Sequence, residues 1–472
     1  MMVTVSKVGG TSGKDGKTLE HVITKLIIPN PERRVWVFSA PGKRYPEDYK
    51  VTDILFDIAQ ETYGNFSSIS PKIELYRERL EVDFLDYFRI PPSFLDSMFT
   101  ELSNLLRIQD PNEKRYFDRI LPQGERNHVR IAEKVMRDVF GINAKAYFPE
   151  QVGLITDGNF GAAKVDRRSY KKIGMKLIPV LRNTNQIILF PGYYGVFEND
   201  LTTLGDGSSD VTGAVTAISM NADLYENYTD TDGIYRADPR IVKGAETIEI
   251  LTYDEARELR VQVLHADTLL PLLEKNIPMR VRNTLNPNNE GTLIVEKRKV
   301  NQHTMEGISY TPNCIIINTK RLGMGDISGY RGKIIDIVAD YGFSIASDAS
   351  QRDAHSIVIA EPQYRGNRKK EQQREFYRRI GELKKALKND RFLRPDQVKI
   401  DRDGALVYCV GQNMEGTPGI AGKVFGAVGD AGVNIKYISQ GTSEYTISFG
   451  VNNSDISKTV NAVYNAFFPH AK

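Results

Sequence analysis

Residues 3–12 read Val-Thr-Val-Ser-Lys-Val-Gly-Gly-Thr-Ser, an alternating β-branched run that ends on two glycines. The alternation predicts a strand over 3–8. Two glycines directly behind it let backbone N–H groups approach an anion closely. Lys7 supplies a point charge, and hydroxyls such as that of Thr11 can bond phosphate oxygens. The run matches neither G-x-x-x-x-G-K-[ST] nor G-x-G-x-x-G, which removes the main support for a P-loop or a dinucleotide fingerprint.

The same punctuation recurs along the first 300 residues. Segments 34–39, 186–190, 222–229 and Met279–Asn283 read as strands, and 52–63, 72–88, 93–107, 127–140 and 209–220 carry apolar residues at helical spacing. This alternation predicts an α/β sandwich with much parallel sheet. Residues 65–125 form a charged, helix-dense excursion. Pro287, Asn288, Asn289 and Gly291 make a turn cluster before a closing strand at Thr292–Val295, which sets a boundary near 300. Beyond it a strand, helix, strand, strand, helix order is read twice. It runs through 314–319, 329–341, 344–347, 355–360 and 374–387, then through 405–411, 418–431, 434–439, 445–451 and Ile456–Phe467, and predicts two small α/β modules of one kind. The basic run 365–379 keeps helical spacing with acids interleaved and reads as a solvated helix face.

Composition narrows the function. With 63 Lys+Arg against 60 Asp+Glu, the net charge of +3 gives no reason to expect a nucleic-acid-binding protein. Cys314 and Cys409 sit in apolar runs far apart and read as core residues of a reducing compartment. No run approaches ~18 apolar residues and no signal-peptide pattern opens the chain, so a cytoplasmic location without membrane contact is expected.

Three more loops follow strands or open helices. They are Ser39-Ala40-Pro41-Gly42-Lys43 with Thr52-Asp53 behind it, residues 202–210 (Thr-Thr-Leu-Gly-Asp-Gly-Ser-Ser-Asp), and residues 228–240, from Tyr228 through Thr229-Asp230 to Asp238-Pro239-Arg240. With Gly124-Glu125, Val263-Leu264-His265 and Arg282-Asn283-Thr284, and with Pro418-Gly419-Ile420-Ala421 and residues 438–444 near the C-terminus, this ordered set resembles aspartate kinases over essentially the whole chain. The resemblance implies an amino-acid-kinase three-layer α/β sandwich over 1–298. Two ferredoxin-like βαββαβ (ACT) modules follow, 305–400 and 401–472, the second threaded into the first. It implies ATP and Mg²⁺ as reaction partners, an amino-acid effector, and at least a homodimer.

The resemblance also implies a site. Lys7 would meet the charge on the transferred phosphoryl group and Asp210 would orient Lys7. Gly9 and Gly10 would hold phosphate oxygens, and Thr229, Asp230, Tyr235 and Arg240 would form the nucleotide site. Thr11, Ser39, Thr52, Glu125, Asp206 and Ser209 would line the substrate pocket, with Glu125 taking the substrate's amino group. No protein side chain is assigned to a metal. Asp326, Gly329, Asp348 and Asn434 are the effector candidates.

Three departures stand out. Asp206 occupies the position of an arginine that clamps the substrate α-carboxylate, a bidentate role aspartate cannot fill. Two unit charges ~4 Å apart interact by about 1 to 4 kcal/mol at effective dielectrics of 80 to 20, so the inversion predicts a loss of ~10³-fold in binding unless another cation compensates. Two readings therefore stand beside aspartate phosphorylation: the same chemistry on a different carboxylate, or a weakly active paralogue serving as amino-acid sensor or partner subunit. The segment 258–263 is about three residues shorter than in the family. Finally, Ala346 stands where lysine-regulated members carry an acid.

Overall fold

The computed structural model describes residues 2–64, 71–205, 208–260, 266–299, 303–362, 369–441 and 443–469. The chain divides into two compact units. The first comprises Met1–Ile234, Thr247–Tyr253 and Val261–Arg298; the second comprises Tyr235–Glu246, Asp254–Arg260 and Lys299–Lys472. The sequence reading had assigned 235–246 and 254–260 to the catalytic part. Ala237, Val242 and Ala245 instead pack into a core with Met305, Val407 and Tyr464.

Ten strands are described in the first unit: β1 (Thr4–Val8), β2 (Val35–Phe38), β3 (Ala144–Ala146), β4 (Ile187–Pro191), β5 (Tyr194–Phe197), β6 (Asp200–Thr203), β7 (Leu224–Thr229), β8 (Ile250–Thr252), β9 (Met279–Asn283) and β10 (Thr292–Val295). Eight of them form one sheet in the order β3-β4-β2-β1-β7-β9-β10-β8, parallel except where β10 meets β9. β5 and β6 form a separate hairpin. Alternate residues of the sheet serve opposite faces. Val8, Trp36, Phe38, Leu189 and Tyr228 share a core with Val129, Ala132, Val135 and Met136 of the helix Gln123–Asp138. Val35, Val37, Ile188 and Phe190 point the other way and are equally buried. On that side the helix Ser208–Ser219 packs on β1, β2 and β7. A sheet buried on both faces by helices is the three-layer sandwich that the strand–helix alternation predicts.

In the second unit β11 (Gly307–Lys320), β12 (Ser347–Ser350), β13 (Ala354–Ala360), β14 (Gln397–Val410), β15 (Tyr437–Gln440) and β16 (Thr446–Val451) form an antiparallel sheet in the order β12-β13-β11-β14-β16-β15. The two long strands are each shared between two ferredoxin-like halves. Residues 314–320 of β11 pair with β13 and with the first part of β14, whereas 307–311 pair with 406–410 across a register shift. The cores divide in the same way. Ile315 and Ile317 pack with the helices Tyr330–Asp340 and Lys369–Asn389, while Ile308 packs with Val424, Val428, Val460 and Val463. Phe376, Ile380, Leu383 and Leu387 of the basic helix are buried in the first of these cores. Two predicted strands start three residues late: 344–347 becomes Ser347–Ser350, because Phe343 and Ile345 turn to the helical core and the ladder opposite β13 starts at Ser347, and 434–439 becomes Tyr437–Gln440, where the ladder opposite β16 starts. Cys314 and Cys409 are buried free thiols.

Candidate active site

Lys7 is the penultimate residue of β1 and faces the helix Ser208–Ser219. Its Nζ lies 2.6 Å from Asp210 Oδ1, with both side chains 11% exposed. Asp210 sits in the first turn of that helix, where the unsatisfied amides favour an anion. Asn227, the register partner of Lys7 on β7, closes a triangle. Its Oδ1 accepts from Lys7 Nζ at 3.3 Å and its Nδ2 donates to Asp210 Oδ1 at 3.1 Å. The sequence reading missed Asn227, and the available signal was a lone amide inside an otherwise buried strand. A nearly dry ion pair of this kind is weak evidence for stability, since desolvation offsets its attraction. Its effect is to fix a lysine ammonium in place.

The turn above this ammonium is built by close approach. A Cβ on Gly9 would lie 3.5 Å from Lys7 Nζ and 3.3 Å from the Tyr228 carbonyl. The Gly9 amide already donates to that carbonyl at 3.2 Å, so of the two amides expected to hold phosphate oxygens only that of Gly10 is left for the task. Gly10 and Gly42 touch backbone to backbone. The Gly42 amide donates to the Gly10 carbonyl at 2.8 Å, and a Cβ on Gly42 would lie 2.6 Å from the Gly10 carbonyl carbon. Arg79, nearly fully buried, donates to the Gly42 carbonyl at 2.7 Å and to Asp48 at 2.6 Å, tying the turn to the helical excursion.

Ala40 links this turn to Glu125. A Cβ on Gly10 would lie 2.8 Å from the Ala40 carbonyl, and one on Gly124 would lie 2.9 Å from the Ala40 Cβ. Glu125 follows in the first turn of the helix Gln123–Asp138. It is 3% exposed and its Oε2 has no hydrogen-bond partner. Burial pushes its carboxyl up to about 8, opposed by the amides of Ala40 and of Glu125 itself. Ser39 donates its amide to the Val8 carbonyl at 3.1 Å, and its own carbonyl is held by the His128 ring at 2.7 Å. Burial holds that ring down at about 4, so it is neutral at physiological pH. Thr52 opens the helix Val51–Thr62, whose Val51 amide donates to the Pro41 carbonyl at 3.1 Å. Ser209 packs against Gly192, whose amide donates to the Phe38 carbonyl at 2.9 Å.

On the other side of β1, Thr229 ends β7 and its hydroxyl donates to Asp230 at 3.2 Å. Its carbonyl accepts from Thr284, whose hydroxyl reaches Ser12 at 2.6 Å. Lys7, Gly10, Ser39, Ser209 and Thr229 thus collect at the carboxyl ends of β1, β2, β4 and β7. There the chain runs from β1 to β2 on one side and β7 flanks β1 on the other, the crevice where open parallel sheets bind ligands.

Tyr235 and Arg240 belong to the second unit, where Tyr235 packs against the core around Val407 and Arg240 pairs with Asp238 at 2.7 Å. Thr11 is exposed at the mouth of the turn. Asp206 and His265 lie outside the described residues, as do 261–263 of the short segment. Among the effector candidates, Asp348 meets His355 at 3.1 Å, Asp326 faces Arg352 at 3.4 Å, Gly329 caps the helix Tyr330–Asp340 at φ 75°, and Asn434 is exposed ahead of β15. Ala346 donates its amide to Val358 at 2.8 Å and receives Arg260 on its carbonyl at 2.9 Å.

Fold and site together define an amino acid kinase. Residues 2–283 match the model of the amino acid kinase family, and 407–467 match an ACT domain. Within that class the chain belongs to the aspartokinase family. It is 32% identical to aspartokinase 3 of Bacillus subtilis over 98% of each chain. The crystal structure of Clostridium acetobutylicum aspartate kinase superposes with a TM-score of 0.81 at 30% identity, covering 98% of this chain and all of the other. E. coli aspartokinase III, solved with aspartate and ADP, shares the fold at a TM-score of 0.78 and 22% identity over 99% of this chain and 100% of that one.

Proposed function

We propose that this chain transfers the γ-phosphoryl group of ATP to the β-carboxylate of aspartate. The observation that carries the reading is the buried Lys7–Asp210–Asn227 triangle directly beneath the Gly9–Gly10 turn. Full-length similarity to aspartokinases favours aspartate over another carboxylate, and the intact triangle opposes a silent sensor. A carboxylate oxygen attacks the γ-phosphorus, the new O–P bond forms as the bond to the β–γ bridging oxygen breaks, and ADP leaves. The nucleophile is already an anion, so no general base is required. Catalysis reduces to in-line placement and to neutralising charge on the equatorial oxygens. Lys7 supplies that neutralisation, held in place by Asp210 and Asn227. The Gly10 amide meets a phosphate oxygen, and Thr229 with Asp230 borders the nucleotide. Ser39, Thr52 and Ser209, with Thr11 at the mouth, line the acceptor side. The orphan Oε2 of Glu125 would receive an ammonium once the carboxyl has lost its proton.

Among the described residues no group of three or more His, Cys, Asp or Glu is arranged to hold a metal ion. Mg²⁺ would come with the nucleotide, as is general for ATP-dependent phosphoryl transfer, and would neutralise phosphate oxygens there. No described helix is long and apolar enough to cross a membrane, and a cytoplasmic homodimer regulated by an amino acid is our reading. The regulatory part comprises an ACT-like module over 305–400 and a second over 401–472 that is completed by 307–311. Asp326, Gly329, Asp348 and Asn434 are its candidate effector contacts. With an alanine at 346, lysine is not the effector we expect.

Hydroxylamine trapping of acyl phosphate tests the reading. Wild type should yield aspartyl hydroxamate with ATP and Mg²⁺, and Lys7→Met should lower kcat by about 10³-fold or more. Asp206→Arg run in parallel reads the acceptor: turnover of aspartate by that variant alone would point to a different natural carboxylate, and no turnover of any carboxylate by wild type would overturn the proposal.

A further inference from the structure

Asp118 lies on the helix Glu113–Ile120, is 1% exposed, and belongs to none of the groups assigned above. Its carboxylate accepts three hydrogen bonds, one from the loop at Gly161 and two from Thr203. Oδ2 receives the Gly161 amide at 2.9 Å and the Thr203 amide at 3.0 Å, and Oδ1 receives the Thr203 hydroxyl at 2.5 Å. Burial nevertheless raises it to about 6. Burying a carboxyl this dry costs free energy, which its three hydrogen bonds offset by binding the segments they come from.

What it holds is the exit of the β5–β6 hairpin. Thr203 ends β6, and the next amide, that of Leu204, donates to the Tyr193 carbonyl at 2.8 Å. The residue before Tyr193, Gly192, packs against Ser209, the neighbour of Asp210 in the site. At the other end of β6, Arg115 and Arg119 of the same short helix both pair with Asp200. That helix runs through Leu121 and Pro122 directly into the helix that bears Glu125. One element therefore grips both ends of β6 and leads into the carboxyl that would receive the substrate ammonium.

We propose that Asp118 is a positioning residue that fixes the exit of the β5–β6 hairpin, and through Leu204 and Tyr193 the Gly192 backbone on which Ser209 packs, relative to Glu125, and so sets affinity for the amino-acid substrate without touching it. The inference rests on the aspartate reading above for the identity of that substrate. Asp118→Asn keeps the shape but removes the charge: its NH₂ group fits only opposite the Thr203 hydroxyl, which must turn round to accept, and the two amide bonds lose their charge assistance. Thr203→Val removes the hydroxyl bond alone.

Hydrogen exchange on the full-length chain reads the clamp directly. Amides of Gly161, Thr203 and Leu204 should exchange at least about fivefold faster in Asp118→Asn, while those of 7–13 are unchanged. Steady-state kinetics should show KM for aspartate raised about tenfold or more, with KM for ATP within about twofold, and Thr203→Val should move both readouts the same way by less. Unchanged exchange, or KM values for both substrates that move together, would overturn the proposal, since a merely structural role lowers stability without singling out one substrate. If Asp118→Asn does not fold, Thr203→Val alone decides. Failure of wild type to phosphorylate aspartate would instead sink the functional reading, and the exchange experiment would still judge the clamp.

Discussion

At position 125, burial alone brings a carboxyl into the physiological range. Glu125 titrates near 8 in the folded chain, above its ordinary value of about 4.5. Between these two values the folded protein keeps a proton that the unfolded chain has released, so this group's contribution to stability falls as pH rises from about 4.5 to about 8, and levels off above. An incoming ammonium prefers the ionised form, and binding below pH 8 must expel the proton. KM for aspartate should therefore rise by up to about tenfold for each pH unit below 8 and flatten from 8 to 9. Glu125→Gln should give a flat profile with KM raised roughly a hundredfold. A wild-type KM that is constant from pH 6 to 8 would remove Glu125 from the substrate pocket. Lys7, Asp210 and Glu125 were named through the resemblance of the ordered motifs to aspartate kinases, since a Gly-Gly turn after a strand or an acid at a helix start is by itself usually only a turn or a cap. Asn227 was not legible, because its role depends on facing Lys7 across a parallel register that local sequence does not encode.

At the scale of elements, two turns from different strands share one van der Waals gap. Gly42→Ala would place a methyl 2.6 to 2.8 Å from the Gly10 carbonyl and the Thr11 amide, all backbone atoms. The turns must separate, at a stability cost of about 1–3 kcal/mol. The Gly10 amide would shift with them, and kcat should fall by about a hundredfold. Gly422→Ala is the control: it lies in the helix Ile420–Asp430 with nothing within 4 Å, so helix propensity predicts a gain of about 0.5–1 kcal/mol and unaltered kcat. Denaturant midpoints and initial rates on the two variants separate close approach from a general intolerance of side chains. Most long elements of the kinase unit were readable from periodicity. The hairpin β5–β6 was not, since its strands are four residues each and their exits are set by bonds to a helix some 80 residues earlier in the chain.

At the scale of the molecule, β11 serves two cores. Ile308 and Ile317 lie nine residues apart on one strand, yet Ile308 packs among Val424, Val428 and Val460 while Ile317 packs among Ile334, Ile380 and Leu383. Ile308→Ala should cost about 2–5 kcal/mol. Hydrogen exchange should quicken in the helix Ile456–Phe467, almost 150 residues away in sequence, and leave the helix Lys369–Asn389 protected. Ile317→Ala should do the reverse. Loosening of the nearer helix by Ile308→Ala would refute the shared-strand arrangement.

The sequence by itself determined the alternation of strands and helices, the repeated small modules beyond residue 300, and the order of the glycine and charge motifs, because periodicity and turn chemistry are local properties. Tertiary structure alone decided which residues of those motifs meet. It joined Lys7 to Asn227 through parallel register and set Gly10 against Gly42 through backbone contact. It assigned Tyr235 and Arg240 to the second unit, and it divided β11 between two cores. Each of these depends on the pairing of segments far apart in the chain, where burial and close packing, rather than local preference, choose the partner.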